Sequence, residues 1–171
     1  MIQIVKDSDT RPWFFLQTAH TTYGIRVMET GHLEHLYYGE RITVDSQDSS
    51  SCAPLVIQRA FAPGNTCTYD REHPQISMED VCLEVGTLGK GGIREPFLEV
   101  RFADGSVTSD FTFDSYKIIT LKEREQCLQD SGLPHSYSEV ETDSAECLQI
   151  VLQDVTNHLE LQLFYTCLLY T

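Results

Sequence analysis

Apolar residues recur at every second position through most of the chain, the spacing that places alternate side chains on one face of a β-strand. Trp13–Thr18 and Tyr23–Val27 are predicted as strands joined by Ala19-His20-Thr21-Thr22, a polar link of hairpin length. Gly31 opens a third strand, Leu33–Tyr38, closed by Gly39. Phe97–Phe102 and Val107–Phe113 flank Ala103-Asp104-Gly105-Ser106; Asp-Gly suits a tight turn, so this is read as the clearest hairpin. In the last hairpin Leu148, Ile150 and Leu152 alternate with Gln149 and Gln153. Beyond the polar link Asp154–His158, Leu159, Leu161 and Leu163 alternate with Glu160 and Gln162. One face of each strand is apolar and the other wet, which predicts an all-β fold, an antiparallel β-sandwich.

A few segments break the pattern. Val44–Ser51 is polar and offers no side chains for a core, so a loop is expected, with a short strand at Pro54–Ile57. Ser77-Met78-Glu79-Asp80 suits one helical turn, and Lys122–Gln129 is the other helix candidate. Phe61–Pro74 is a long, proline-bearing loop, of a kind that is often functional. The final stretch, Phe164–Thr171, stays apolar; an open apolar strand edge is costly, so the sandwich is expected to be truncated here.

Composition narrows the function classes. A hydrophobic content of 41 % and a charged content of 22 % are ordinary for a globular domain. The net charge of −14 repels phosphate backbones and anionic lipids, which argues against nucleic-acid and membrane partners. Met1–Asp7 has no cationic leader and no apolar run reaches membrane-spanning length, so a cytoplasmic protein is expected. The six cysteines form no C-x-x-C pair and are read as thiols.

Candidate chemistry is sparse. His32 and His35 are three apart, which on a strand points them to opposite faces and away from shared metal ligation. Gly86-Thr87-Leu88-Gly89-Lys90-Gly91-Gly92 lacks the order of a phosphate-binding loop and is read as a turn or close backbone contact. Spacing selects no glycosidase pair among the 26 acids, and G-x-S-x-G is absent. The long loop gathers Arg59, Asn65, Tyr69, Asp70, Arg71 and His73, residue types that bond to or stack on sugars; a merely solvated loop is the competing reading.

Several motifs, in order and spacing from about Phe15 to Thr166, resemble family-36 α-galactosidases. They are Glu29-Thr30-Gly31-His32-Leu33 through Gly39, Arg59-Ala60-Phe61-Ala62-Pro63-Gly64-Asn65, and Tyr69-Asp70-Arg71-Glu72-His73-Pro74. Gly91–Phe97, Asp104-Gly105-Ser106 with Ser109-Asp110-Phe111, Gly132–Tyr137 and the last hairpin continue the series. The resemblance implies that residues 1–171 are roughly the first half of a galactose mutarotase-like N-terminal supersandwich, with a (β/α)8 barrel and a C-terminal β-domain beyond them. It implies hydrolysis of terminal α-linked galactose from oligosaccharides such as melibiose and raffinose, with retention. An aspartate nucleophile and an aspartate acid/base lie in the barrel, so no catalytic residue, metal ligand or cofactor is assigned to this chain. It also implies a homo-oligomer, a tetramer, in which the loop Gln58–Pro74 reaches a neighbouring active site. Gln58, Arg59, Asp70 and Arg71 are the resulting candidates for the substrate rim or subunit interface. Gln58 departs from members with an acid there, so the resemblance implies no charged sugar contact at that position. Cys167–Thr171 also departs from the family pattern. Two other readings stay open: a stand-alone carbohydrate-binding or interaction module, and an aldose epimerase-like enzyme with its own His and Glu on one concave sheet.

Overall fold

Apolar alternation produces five of the expected strands, and two more are added, Ile2–Lys6 at the N-terminus and Thr112–Thr120. The computed structural model describes residues 1–46, 48–57, 68–92, 95–130 and 146–166. Strands β1 (Ile2–Lys6), β2 (Pro12–Gln17), β3 (Thr21–Val27) and β4 (Leu33–Glu40) form one antiparallel sheet in that order. Strands β5 (Thr112–Thr120), β6 (Glu146–Asp154) and β7 (Leu159–Thr166) form the second. One apolar layer joins them: Phe14, Ile25 and Leu33 from the first sheet pack with Leu148, Ile150, Leu152 and Leu163 from the second. Phe14 meets Tyr116 edge-on across this layer, with ring centroids 5.1 Å apart. The expected antiparallel sandwich is what the chain forms.

Strand β2 is buried on both faces, and that corrects one expectation. Trp13 and Phe15 point away from the second sheet into a smaller core with Val5, Val44 and Cys52. The segment expected to lack core side chains therefore supplies one of them, Val44, and the residue just beyond it, Cys52, supplies another. Ser49–Leu55, with Pro54 inside, is a 3-10 helix in place of the expected loop and short strand. Asp48 caps it by accepting from Ser50 N at 2.9 Å, and Cys52 plugs it into the small core.

The hairpin at 97–113 is the second correction. Its turn forms, with Phe102 N donating to Ser106 O at 2.9 Å and Gly105 at φ +87°. No ladder follows, because side chains elsewhere take the hydrogen-bonding groups it would need. Thr87 Oγ1 donates to Ser109 O, and Asp110 N donates to Asp154 Oδ2. The strand begins at Thr112 and pairs with β6 instead. Third, the wet face expected on β6 is dry at Gln149, which is 3 % exposed and donates to Gln162 at 2.9 Å.

Helix α1 (Leu121–Asp130) is a full element, and local chemistry explains it. Thr120 N donates to Glu123 Oε2 at 2.7 Å, and Glu123 N donates to Thr120 Oγ1 at 3.2 Å. This reciprocal pair satisfies two backbone donors at the helix start. Met78–Asp80 forms the expected single turn. Among the described residues no helix is long and apolar enough to cross a membrane.

The shared layer sets the stability. Leu148→Ala, at a fully buried position, is expected to cost about 3 kcal/mol, whereas Phe97→Ser, at a site 63 % exposed, should shift stability by no more than about 0.5 kcal/mol. Urea unfolding followed by Trp13 fluorescence measures both.

Candidate functional site

The turns β1–β2 and β3–β4 lie at the same end of the first sheet, and the site is built there. The β3–β4 turn needs Gly31, whose φ is +83° and whose missing Cβ would stand 3.1 Å from Thr112 Cβ. Phe113 N donates to Gly31 O at 2.8 Å, which fixes the turn against the start of β5. His32 follows, 3 % exposed, with Nδ1 at 2.9 Å from Thr30 Oγ1 and Nε2 at 2.8 Å from Asp110 Oδ1. Tyr69 OH donates to the other Asp110 oxygen at 3.1 Å, and Lys90 Nζ lies 3.2 Å from it. The Tyr69 ring stands edge-on to His32, centroids 4.8 Å apart, with Lys90 Nζ 4.6 Å from its centroid.

Burial alone would raise the Asp110 carboxyl, but the hydrogen bond and attraction of His32, with the ammonium of Lys90, overbalance it. The group lies below the usual aspartate value. Burial and the Asp110 charge push the Tyr69 phenol well above its ordinary value.

Tyr69 is held by the turn that follows it. Its N–H donates to Ile76 O at 2.8 Å, and Ile76 N donates to His73 O at 3.0 Å. Between them Asp70 Oδ1 accepts from Glu72 N at 2.8 Å, His73 N at 2.7 Å and His73 Nδ1 at 2.9 Å. The His73 ring, followed by these backbone donors, holds the Asp70 carboxyl below its usual value. Asp70 thus closes the turn, and Arg71 at its tip is exposed with no partner among the described residues. Of the four candidates, the structure places Asp70 and Arg71 side by side. Gln58 and Arg59 lie outside the described residues, as does Asn65.

Other expected features go elsewhere. His35 leaves the site; its ring is tilted against Tyr23, centroids 4.9 Å apart, with Nδ1 3.7 Å from Glu84. Among the described residues no group of three or more His, Cys, Asp or Glu is placed to hold a metal. The glycine run is a tight turn in which Lys90 N and Gly92 N both donate to Thr87 O at 3.0 Å. Gly91 has φ +85°, and a Cβ there would stand 2.9 Å from Met78 O, so close backbone contact is the glycine's role. Its effect is to deliver Lys90 to Asp110. Sequence reasoning missed Asp110, His32 and Lys90 as partners, although the motifs carrying each were in view; nothing local couples them across 78 positions.

These residues fall inside a known domain. The model of the glycosyl hydrolase family 36 N-terminal domain matches residues 31–169. The chain belongs to that family. The bifunctional α-galactosidase/sucrose kinase AgaSK of Mediterraneibacter gnavus is 34 % identical over 154 residues, covering 89 % of this chain and 15 % of that protein. The α-galactosidase of Lactobacillus brevis has a similar structure, with a TM-score of 0.70 and 29 % identity, over 95 % of this chain and 20 % of that one. So has a variant of the Geobacillus stearothermophilus α-galactosidase AgaA in complex with raffinose, with a TM-score of 0.69, 28 % identity and coverage of 92 % and 20 %. This family 36 chain therefore spans about a fifth or less of the length of such relatives.

Asp110 gives the site a pH signature. Its folded-state pKa is depressed, so its contribution is complete above the unfolded-state value of about 4 and is lost as pH falls through the lower folded value. Asp110→Asn should cost about 2 kcal/mol at pH 7. The gap between the two melting curves should narrow steadily below about pH 4, as thermal denaturation at stepped pH will record.

Proposed function

We propose that this chain serves as the N-terminal sandwich part of an α-galactosidase that removes terminal α-linked galactose from oligosaccharides with retention. The family match and the α-galactosidase relatives support the reading, together with the small share of each relative that the chain spans. Retaining hydrolysis requires two carboxylates about 5 Å apart, one nucleophile and one acid/base; these are assigned to the rest of the enzyme. The enzyme is read as a cytoplasmic homo-oligomer, a tetramer, with this domain contributing to subunit contacts and the active-site rim. Gln58 and Arg59 remain candidates on the same loop.

Arg71 carries the rim assignment. Its turn is locked by Asp70 and anchored through Tyr69 to Asp110, yet its guanidinium is exposed and has no partner among the described residues. Such a fork of five donors suits adjacent sugar hydroxyls or a carboxylate across a subunit boundary.

The 171-residue chain should not hydrolyse a chromogenic α-galactoside above the uncatalysed rate. In the full-length enzyme Arg71→Ala should lower kcat/KM about 10-fold, or about 1.4 kcal/mol. If the contact bridges subunits, oligomer mass should fall on dilution and activity with it. Unchanged kinetics together with unchanged oligomer mass would reject the rim assignment, and turnover by the 171-residue chain would reject the division of labour.

A further inference from the structure

The same end of the first sheet opens a cleft of about 260 Å3 on the sheet's outer face. Asp7 and Arg11 come from the β1–β2 turn, Arg26 and Glu34 are a cross-strand pair of β3 and β4, and Gln75 and Ser77 come from the arm returning from Arg71. The wall is fixed in advance. Arg26 Nε donates to Glu34 at 2.6 Å, with the Glu34 side chain only 4 % exposed, and the guanidinium lies 5.4 Å from the Trp13 ring centroid. Among the described residues nothing takes up the two terminal nitrogens of Arg26. Arg11 is held by Asp7 at 2.9 Å and Asp9 at 2.6 Å. Gln75 donates to Glu29 at 2.8 Å, which leaves its carbonyl oxygen as an acceptor. Ser77 is 3 % exposed, and its hydroxyl has no partner among the described residues.

This chemistry selects a ligand class. Guanidinium groups (Arg11, Arg26) and carboxylates (Asp7, Glu29, Glu34) share the wall and are already paired within it, so neither an anion nor a cation meets a complementary field. An apolar guest would bury the Arg26 donors and the Asp7 carboxylate without replacing their water. Vicinal hydroxyls both donate and accept, and they match a guanidinium fork beside carboxylate and carboxamide oxygens. The volume lies just below the roughly 300 Å3 at which ordinary ligand pockets begin, which suits a single ring.

We propose that this cleft binds one neutral sugar ring through its hydroxyls, with Arg26, Arg11 and Gln75 as the hydrogen-bonding groups. The choice of a sugar among neutral polyols rests on the glycosidase reading above; the preference for a neutral polyol does not.

The test is a titration of the 171-residue chain with methyl α-galactoside, methyl α-glucoside, myo-inositol and galacturonate, followed by amide and carboxamide NMR shifts. Neutral ligands should saturate with Kd on the order of millimolar, with shifts centred on Val27, Gln75 and Ser77. Galacturonate should bind more weakly than methyl α-galactoside. Gln75→Ala and Arg11→Ala remove no core side chain and should each weaken binding about threefold or more, with melting temperature unchanged. Should a variant lose its fold, the location of the wild-type shifts decides instead. The proposal is overturned by absence of saturation up to about 100 mM neutral ligand, by shifts centred elsewhere, by tighter binding of galacturonate, or by folded variants that bind normally. Binding of the glucoside and inositol but not the galactoside would support the cleft and count against the α-galactosidase reading. Failure of every ligand here, with the Arg71 effect intact, would do the reverse.

Discussion

A carboxylate taken out of water must be given donors, and at one end of this sandwich that requirement is met in sequence by Asp154 and Asp110. Asp154, 1 % exposed, ends β6 and accepts from Asn157 N at 3.0 Å, Asn157 Nδ2 at 2.7 Å and Asp110 N at 3.0 Å. The last of these bonds holds the Asp110 backbone to the second sheet. The Asp110 side chain then gathers His32 from the β3–β4 turn, Lys90 from the glycine turn and Tyr69 from the long loop. One residue beyond Tyr69, Asp70 repeats the arrangement on a smaller scale and closes the turn that presents Arg71. The placement of an exposed arginine is thus traceable, bond by bond, to the end of a core strand.

Glu84 does the corresponding work at the sheet edge. The backbone at 82–84 adds to the edge of β4, with His35 N donating to Cys82 O at 2.8 Å and Glu84 N to Leu33 O at 2.9 Å. This covers an edge that would otherwise be open to pairing. The Glu84 carboxylate then accepts from Tyr23 OH at 2.7 Å and Tyr165 OH at 2.7 Å, one phenol from each sheet. Burial and that carboxylate push both phenols well above their ordinary value. Magnitudes separate the two kinds of contribution. A charge-assisted hydrogen bond is worth about 1.5–3 kcal/mol, as is full burial of one large aliphatic side chain. Among the described residues twelve buried ones make up the main core, so the apolar layer sets stability while the few carboxylates set where loops attach.

Sequence pattern revealed the elements whose hydrogen bonds stay within a ladder. Strands β2, β3, β4, β6 and β7 follow directly from alternation, since each buries an apolar face. It failed where side chains redirect the backbone. The Asp-Gly turn at 104–105 forms, but Asp154 and Thr87 claim the groups beyond it, and no local rule reports a partner 44 residues away. Val44 looked like part of a polar run because the small core it enters is assembled by Trp13 and Phe15, the second face of β2. At α1 the sequence pattern offered only Lys122–Gln129; the capping pair Thr120–Glu123, which it did not single out, starts the helix at Leu121. In the site, the motifs that resemble the family contained His32, Tyr69 and Asp110, but a linear reading has no means of showing that they converge.

That convergence sorts candidates the sequence could only group together. Asp70 and Arg71 are neighbours of opposite charge on one loop, equally plausible as sugar contacts by residue type. The structure gives them different tasks. Three donors occupy one oxygen of Asp70, so spending it on a ligand would open the turn. Arg71 has no such obligation among the described residues, while its backbone is held on both sides, by Asp70 and by the Tyr69–Ile76 bond. A rigid backbone carrying an unengaged side chain lowers the ordering cost of a contact, because only the side chain remains to be fixed on binding. The carboxylates are consumed in making that arrangement, which is why the rim role falls to the arginine and not to the acid beside it.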